Sequence, residues 1–294
     1  VTTRAIEKPT STYEIKHENK TATLIGKILV NGFLLLYCVT AIFPPIWMIY
    51  SSLKTSPEFA QNIFSLPSSF NLQNYIKIFT IGTVYRAFFN SIFSSVVSIV
   101  LLISISFIVA YFLARYEFPG RNALYIFFMF GVIVPVGALL VPVFLMFSKI
   151  HFLNNQFTII PPMVAFGLSG NIFLLQSYIR SIPVEIEEAA FMDGSSLLNT
   201  LWEIIFPMCT PILATVLILT FMGTWNEFGF PLVLTSSPQF KTVVLWLNTF
   251  KGEHTADYVG QMAALVLASV PVILLYLFFN EKIIQGMTAG AMKD

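Results

Sequence analysis

The sequence predicts an all-α, polytopic membrane protein with six transmembrane helices. Three observations predict it. Of the 294 residues, 56% are hydrophobic and only 11% are charged, with a mean hydropathy of +0.78, whereas soluble domains carry about a quarter charged residues. The apolar residues gather into six runs, each near the ~20 residues that a helix needs to cross the hydrocarbon core. The stretches between those runs are too polar to cross. The net charge of +1 leaves no nucleic-acid footprint. Cys38 and Cys209 both fall in or beside apolar runs, which argues against a disulfide framework. His17, His151 and His254 are scattered without ligand spacing, so no metal site is expected.

Residues 1–23 mix Arg4, Lys8, Lys16 and Lys20 with Glu7, Glu14 and Glu18, and read as a tail. The polar part is too long, and the apolar run behind it too extended, for a signal peptide. The first span covers 24–53, with Pro44-Pro45 expected to kink its outer end and Trp47 and Tyr50 suited to the interfacial aromatic belt. A mixed loop, 54–85, follows. The second span, 86–114, carries serines at 91, 94, 95, 98, 104 and 106, small residues that let helices approach and whose hydroxyls bond back to the helix. Arg115-Tyr116-Glu117-Phe118-Pro119-Gly120-Arg121 is a tight turn.

The third span, 122–147, is broken up by Gly131, Pro135, Gly137 and Pro142. Irregular backbone at membrane depth survives only when packed in protein or beside water, so this span is expected against other helices or a pore. After a turn at 148–157 comes the fourth span, 158–178, with Pro161-Pro162 near its start and Asn171 and Gln176 inside. The fifth span covers 208–234, a second mixed loop 235–258, and the sixth span 259–279 with a kink at Pro271. The domain division is an N-terminal tail at 1–23, a six-helix domain at 24–280 and a polar tail at 281–294.

Between the fourth and fifth spans lies the one long polar insertion of the second half, 181–207. It reads as two short helices with a glycine elbow. Pro183 fits a first helical position. Glu185, Glu187 and Glu188 fall in the first turns, where the helix dipole favours carboxylates. Gly194 takes a left-handed stop, Ser195 or Ser196 caps a second helix at 197–206, and Pro207 ends it. A stiff hairpin between two spans is a lever on which something outside the membrane can push. Six spans put both termini on the hairpin's side. That side holds ten of the 16 Lys and Arg residues, namely Arg4, Lys8, Lys16, Lys20, Lys27, Arg115, Arg121, Arg180, Lys282 and Lys293. The positive-inside rule makes it the cytoplasmic side.

The hairpin also carries a resemblance. Glu188-Ala189-Ala190, then Gly194, Ile204 and Pro207 resemble the "EAA" loop of binding-protein-dependent ABC importer permeases, with Phe206 where that family usually has Leu. Thr224-Trp225-Asn226-Glu227-Phe228, followed by Pro231-Leu232, is similar to the fifth-span segment of carbohydrate-importer permeases of the maltose-permease G-subunit (MalG-like) type. The ending Gly286-Met287-Thr288-Ala289-Gly290-Ala291-Met292-Lys293 is similar to theirs, and Asn90-Ser91 opens the second span as it does in them. The resemblance runs from about residue 30 onward.

It implies a type I ABC importer transmembrane-domain fold, and a permease subunit for a sugar or oligosaccharide in a bacterial plasma (inner) membrane. It also implies three kinds of partner besides lipid: a second, homologous permease chain, two cytoplasmic ATP-binding subunits and an extracytoplasmic solute-binding protein. No G-x-x-x-x-G-K-[ST] phosphate loop occurs in the sequence. The chain is thus expected to be no enzyme and to hold no cofactor, with ATP and Mg2+ bound by the partner subunits. By the same resemblance Glu187, Glu188, Ala189, Ala190, Asp193, Gly194, Ile204 and Pro207 couple the chain to the ATPase, and the fourth and fifth spans rock with the hairpin.

Glu227 is the carboxylate set deepest in an apolar run, where burial costs roughly 3 kcal/mol on insertion scales. It reads either as a pore-side group for sugar hydroxyls or as a polar latch with Asn226. Trp225 is a candidate to stack on a sugar face or to anchor at an interface, and Asn171 and Gln176 are further pore candidates. An ion-driven secondary transporter would need repeated broken-helix halves and relay carboxylates. A membrane enzyme would need a nucleophile–base or metal cluster. The sequence offers neither. Other cargoes of an importer, such as glycerol phosphate, polyols or sugar–amine conjugates, remain as alternatives. A phosphorylated cargo would want a basic cluster that the spans lack.

Overall fold

A computed structural model describes residues 20–80, 82–250 and 257–291, and every described element is helical or loop. Residues 1–19, most of the expected N-terminal tail, lie outside the described residues. Helix α1, Lys20–Ser51, is apolar all round and runs through Pro44 and Pro45; it is described by itself as far as Met48. Inside it Thr40 donates its hydroxyl to the carbonyls of Leu36 and Tyr37.

The described residues from Ile49 onward pack as one unit. The loop after α1 holds two short helices, α2 (Ser56–Gln61) and α3 (Gln73–Thr80). Thr55 and Glu58 form a capping box at the start of α2, which satisfies two orphan donors at once. Lys54 is enclosed there, donating to the carbonyls of Asn62 (3.2 Å) and Ile63 (3.1 Å) beneath the rings of Tyr50 and Phe59.

Helix α4, Thr83–Arg115, is the second span and the axis of the unit. Its serines behave as their size suggests. Those at 91, 94, 95, 98 and 106 are buried, and Ser94 and Ser106 bond back to the carbonyls of Asn90 and Leu102. Helix α7, Ile160–Ile179, lies against it so closely that a Cβ on Gly167 would sit 2.5 Å from Leu102 Cδ1.

The expected third span is two helices, α5 (Arg121–Ile133) and α6 (Leu140–Lys149, preceded by a 3-10 turn at Val136–Leu139), bent by 92° at the break. Pro135 disfavours helical backbone at the residue before it, and Val134 is extended, with ψ 119°. Close packing holds α5 to α7, since a Cβ on Gly131 would overlap Ser169 Oγ. The last span, α13 (Tyr258–Ala291), continues helical past Phe279. The expected polar tail is thus helix as far as Ala291, because only Gly286 and Gly290 oppose helix there, at about 1 kcal/mol each.

The hairpin comprises α8 (Glu185–Met192) and α9 (Leu197–Met208). Helix α8 starts after Val184, two residues later than Pro183 suggested. The fifth span is α10, Thr210–Trp225, which meets α9 at 76° across Cys209. Its 16 residues rise about 24 Å, short of the ~30 Å core. After a break at Asn226–Phe228 the shorter α11, Gly229–Leu234, follows. Part of the loop read as merely mixed, 235–258, folds inward: α12 (Val243–Leu247) buries Val243, Leu245, Trp246 and Leu247.

Two cores result. At the hairpin end Phe107, Tyr111 and Leu113 pack with Ile172, Leu175, Ile179, Leu201, Ile205 and Val216. At the far end Val84 and Ala87 pack with Phe221, Trp225, Trp246 and Ala264.

Candidate functional site

The hairpin is built around a glycine stop. Gly194 has φ +83°, and its N–H reaches the Phe191 carbonyl while Ser195 N–H reaches that of Ala190. These are the paired bonds of a Schellman motif, which only a left-handed residue closes. Ser196 then caps α9, its hydroxyl accepting from Asn199 N–H at 3.3 Å. Inside α9 the run Thr200–Ile205 widens into a π-helix. Pro207 supplies the reason, since it has no N–H to offer the Glu203 carbonyl and its ring crowds that group.

The coupling residues separate into two faces. Glu188, Ala189, Asp193, Gly194 and Pro207 are exposed, and Ile204 is half-buried. Ala190 and Glu187 point inward. Glu187 was expected on the contact face. Instead Tyr111 donates to its Oε2 at 2.8 Å and Arg115 Nε to its Oε1 at 2.5 Å, because burial of a carboxylate demands partners. Two residues that sequence reasoning passed over stand out on the exposed side: Met192, 88% exposed, and Leu198, 66% exposed. Large apolar side chains beside Asp193-Gly194, in a segment outside the spans, were the visible sign.

A second feature is a cavity of about 320 Å³ between α7, α10 and the two broken spans. Its wall is mostly apolar, with Leu102, Val136, Phe166 and Leu219. Its polar groups are Asn171, Thr220, Thr224 and Glu227. Asn171 Nδ2 donates to Thr220 Oγ1 at 3.0 Å, joining α7 to α10. A Cβ added at Gly170 or Gly223 would meet nothing within 4 Å, so both glycines leave open space at the wall.

Of the five pore candidates the cavity takes two, Asn171 and Glu227. Glu227 sits in the break rather than within a helix, and its Oε1 accepts Phe230 N–H at 3.0 Å, capping α11. It is no latch with Asn226, whose amide bonds back to the Met222 carbonyl. Trp225 is 2% exposed, stacked on Phe221, with Nε1 donating to the Ala268 carbonyl; in this conformation it presents no face to a ligand. Gln176 is buried too, its amide donating to the Leu113 carbonyl at 3.1 Å. Among the described residues no cluster of three or more His, Cys, Asp or Glu could hold a metal ion.

A glycine-jointed hairpin set between two spans is the feature that carried the sequence resemblance. Residues 103–289 match the family described as binding-protein-dependent transport system inner membrane component. The chain belongs to that family. Among similar proteins, a putative ABC transporter permease of Caldicellulosiruptor sp. is 35% identical over 262 residues, 89% of this chain and 95% of the relative. The trehalose/maltose transport system permease MalG of Thermococcus litoralis is 32% identical, covering 92% of this chain and 98% of the relative. The diacetylchitobiose uptake permease NgcG of Streptomyces coelicolor is 31% identical over 90% and 88%. A chain in the crystal structure of a bacterial ABC transporter that imports the acidic polysaccharide alginate superposes with a TM-score of 0.79. It is 24% identical and covers 90% of this chain and 98% of that one, which establishes the shared fold. The permease is thus an ABC importer membrane subunit with a type I transmembrane-domain fold.

Proposed function

We propose that this permease forms half of the pathway by which a neutral sugar or oligosaccharide enters a bacterial cell, beside a second, homologous permease chain. An extracytoplasmic binding protein delivers the sugar. Two cytoplasmic subunits bind ATP and Mg2+ and hydrolyse the nucleotide, so this chain is a transporter subunit, not an enzyme, and carries no cofactor of its own. Both termini lie on the cytoplasmic side with the hairpin, in keeping with the ten basic residues there.

The hairpin carries the reading. Its exposed face sets Glu188 and Ala189 beside Met192 and Leu198: a carboxylate for a basic group of the ATPase, a flat alanine for close approach, and two apolar side chains that none of the described residues covers. A membrane protein has no reason to show such residues to water unless a partner buries them.

The cargo follows from the cavity and the relatives. An apolar wall with a few convergent hydroxyl, amide and carboxylate groups suits sugar rings, whose faces are apolar and whose edges hydrogen-bond. Among the described residues no Lys or Arg lines it, which disfavours a phosphorylated cargo. Relatives are named for diacetylchitobiose and for trehalose and maltose. Purification of the assembled importer, followed by ATPase assays with binding proteins loaded with candidate sugars, tests the whole reading. Stimulation by a sugar-loaded binding protein is expected. Stimulation only by an ion gradient or only by an anionic cargo would overturn it.

A further inference from the structure

The hairpin's covalent neighbours are α7 and α10, yet its strongest polar attachment is to neither. Glu187, on the inward face of α8, is held by two groups from the end of α4. Arg115 Nε donates to Glu187 Oε1 at 2.5 Å, and Tyr111 hydroxyl donates to Oε2 at 2.8 Å. Another arm of the guanidinium, Nη2, donates to the carbonyl of Ile182, in the turn that leads into α8, at 2.9 Å. Side chains of Arg115 and Glu187 are only 8% and 6% exposed. Breaking such a pair from one side leaves an uncompensated buried charge, so the two helices cannot part cheaply.

The α4 end is itself fixed. The Leu113 carbonyl accepts from Arg121 Nε and Nη2 at 3.1 and 2.9 Å and from Gln176 Nε2 of α7 at 3.1 Å. One face of α8 is thereby joined to a span 72 residues earlier in the chain, through a charge-assisted contact whose geometry resists sliding.

We infer that Arg115, Tyr111 and Glu187 form an internal tie through which displacement of the hairpin is delivered to the second span. Helix α4 then moves with α8 as one body, and the fourth and fifth spans follow through packing rather than leading. Glu187 is a positioning residue: it touches neither cargo nor nucleotide, and acts by holding α8 to α4. The inference rests on the docking role proposed for the hairpin's outer face.

The test uses the complete importer, with both permease chains, its ATPase subunits and binding protein, reconstituted in vesicles. Solute imported per ATP hydrolysed is measured for Glu187→Ala, Arg115→Met and Tyr111→Phe. In the first two it should fall roughly tenfold, within the range that site-to-site coupling spans, and in Tyr111→Phe by less. The double variant Arg115→Met with Glu187→Met keeps the volume buried without the charges and guards against a simple folding failure. It should assemble yet stay uncoupled, whereas recovery of the parental ratio would show the pair to be packing only and overturn the inference.

Spin labels at Glu117→Cys, beside the α4 end, and Glu185→Cys, on α8, report the motion directly. Their separation should be the same with and without bound nucleotide in the parent chain, and should change on nucleotide binding in Glu187→Ala. A separation that changes in the parent, or a normal import ratio in Glu187→Ala, would sink the tie. Failure of Met192→Cys to cross-link to the ATPase subunit in the otherwise parental complex would overturn the docking reading, and this inference with it.

Discussion

Replacement of Gly194 is the sharpest test of the hairpin because the cost can be worked from the backbone alone. The residue has φ +83°, and a Cβ placed there meets nothing within 4 Å. The first side-chain carbon therefore clashes with nothing, and the penalty set by the backbone is conformational. Left-handed backbone costs an L-residue about 1–2 kcal/mol. A β-branched side chain is worse placed, which puts Gly194→Val near the upper part of the ~1–3 kcal/mol seen for strained backbone. Asn tolerates the left-handed region through local hydrogen bonding, so Gly194→Asn should cost well under half as much. If the chain relaxes out of the left-handed region instead, the bonds from Gly194 N–H and Ser195 N–H are lost, at about 0.5–1.5 kcal/mol apiece. Each 1.4 kcal/mol is a factor of ten in the population of the intact elbow.

The assay is retention of the ATPase subunits on the purified permease, together with sugar uptake in vesicles, across Gly, Asn, Ala and Val at this position. Hydrogen exchange at the Ser195 amide serves as the local readout. The expected order is Gly, then Asn, Ala and Val, with Val losing most of both activities. Equal ATPase retention and uptake for Asn and Val, or for Val and the parent, would refute the role of the elbow.

Three further expectations concern other parts of the molecule. Met192→Glu places a charge on the most exposed apolar side chain of the hairpin and should weaken ATPase capture about tenfold in a pull-down while leaving the permease folded. Gly170→Leu and Gly223→Leu fill the open space at the cavity wall; both should cut uptake severely with the complex still assembled, and undiminished uptake would remove the cavity from the pathway. In the 54–85 loop, hydrogen bonds from the Ser68 hydroxyl and then from Thr55 hold the Glu58 carboxyl down to about 2. A depressed carboxylate stabilises the fold fully above its unfolded pKa of about 4.3 and loses that contribution as pH falls toward 2. Proteolysis of this loop should therefore rise between about pH 4 and 2, and Glu58→Ala should show the same susceptibility at neutral pH.

The spans and the hairpin were legible because their causes are local. Apolar runs of the right length admit one solution in lipid, and Gly194 sits where a helix must stop before Ser196 can start another. What stayed hidden depended on partners far along the chain. Nothing in Glu185–Glu188 says which carboxylate turns inward; that is decided by Tyr111 and Arg115, 76 and 72 residues away. Val243–Leu247 looks like part of a polar loop, and is buried because the start of α4 and the helix α13 offer it an apolar floor. The break at Glu227 was readable in principle. Pro231 has no N–H for the Glu227 carbonyl and its ring crowds that group, so a helix cannot run across both, while in the first turn of a new helix its missing donor costs nothing. The apolar composition of 208–234 masked that local rule.

The breaks and the continuous helix divide the work of the permease between them. Val136, just past the break of the third span, and Glu227, in the break of the fifth, both border the cavity, as expected if irregular backbone at membrane depth is tolerated where it lines open space. Helix α4 is unbroken over 33 residues, about 50 Å. One end carries Arg115 and Tyr111 on the hairpin. Near the other, Asn90 donates to the carbonyls of Gln239 and Lys241 at 2.9 and 3.0 Å, and Ser91 Oγ accepts from Val243 N–H at 2.8 Å. The helix therefore grips the hairpin at one end and the loop before α12 at the other. A close-packed rod clamped at both ends moves between discrete arrangements rather than bending. On the proposed orientation, a push at the hairpin is felt at the loop where a binding protein would sit, along a helix that gives the cavity wall Leu102.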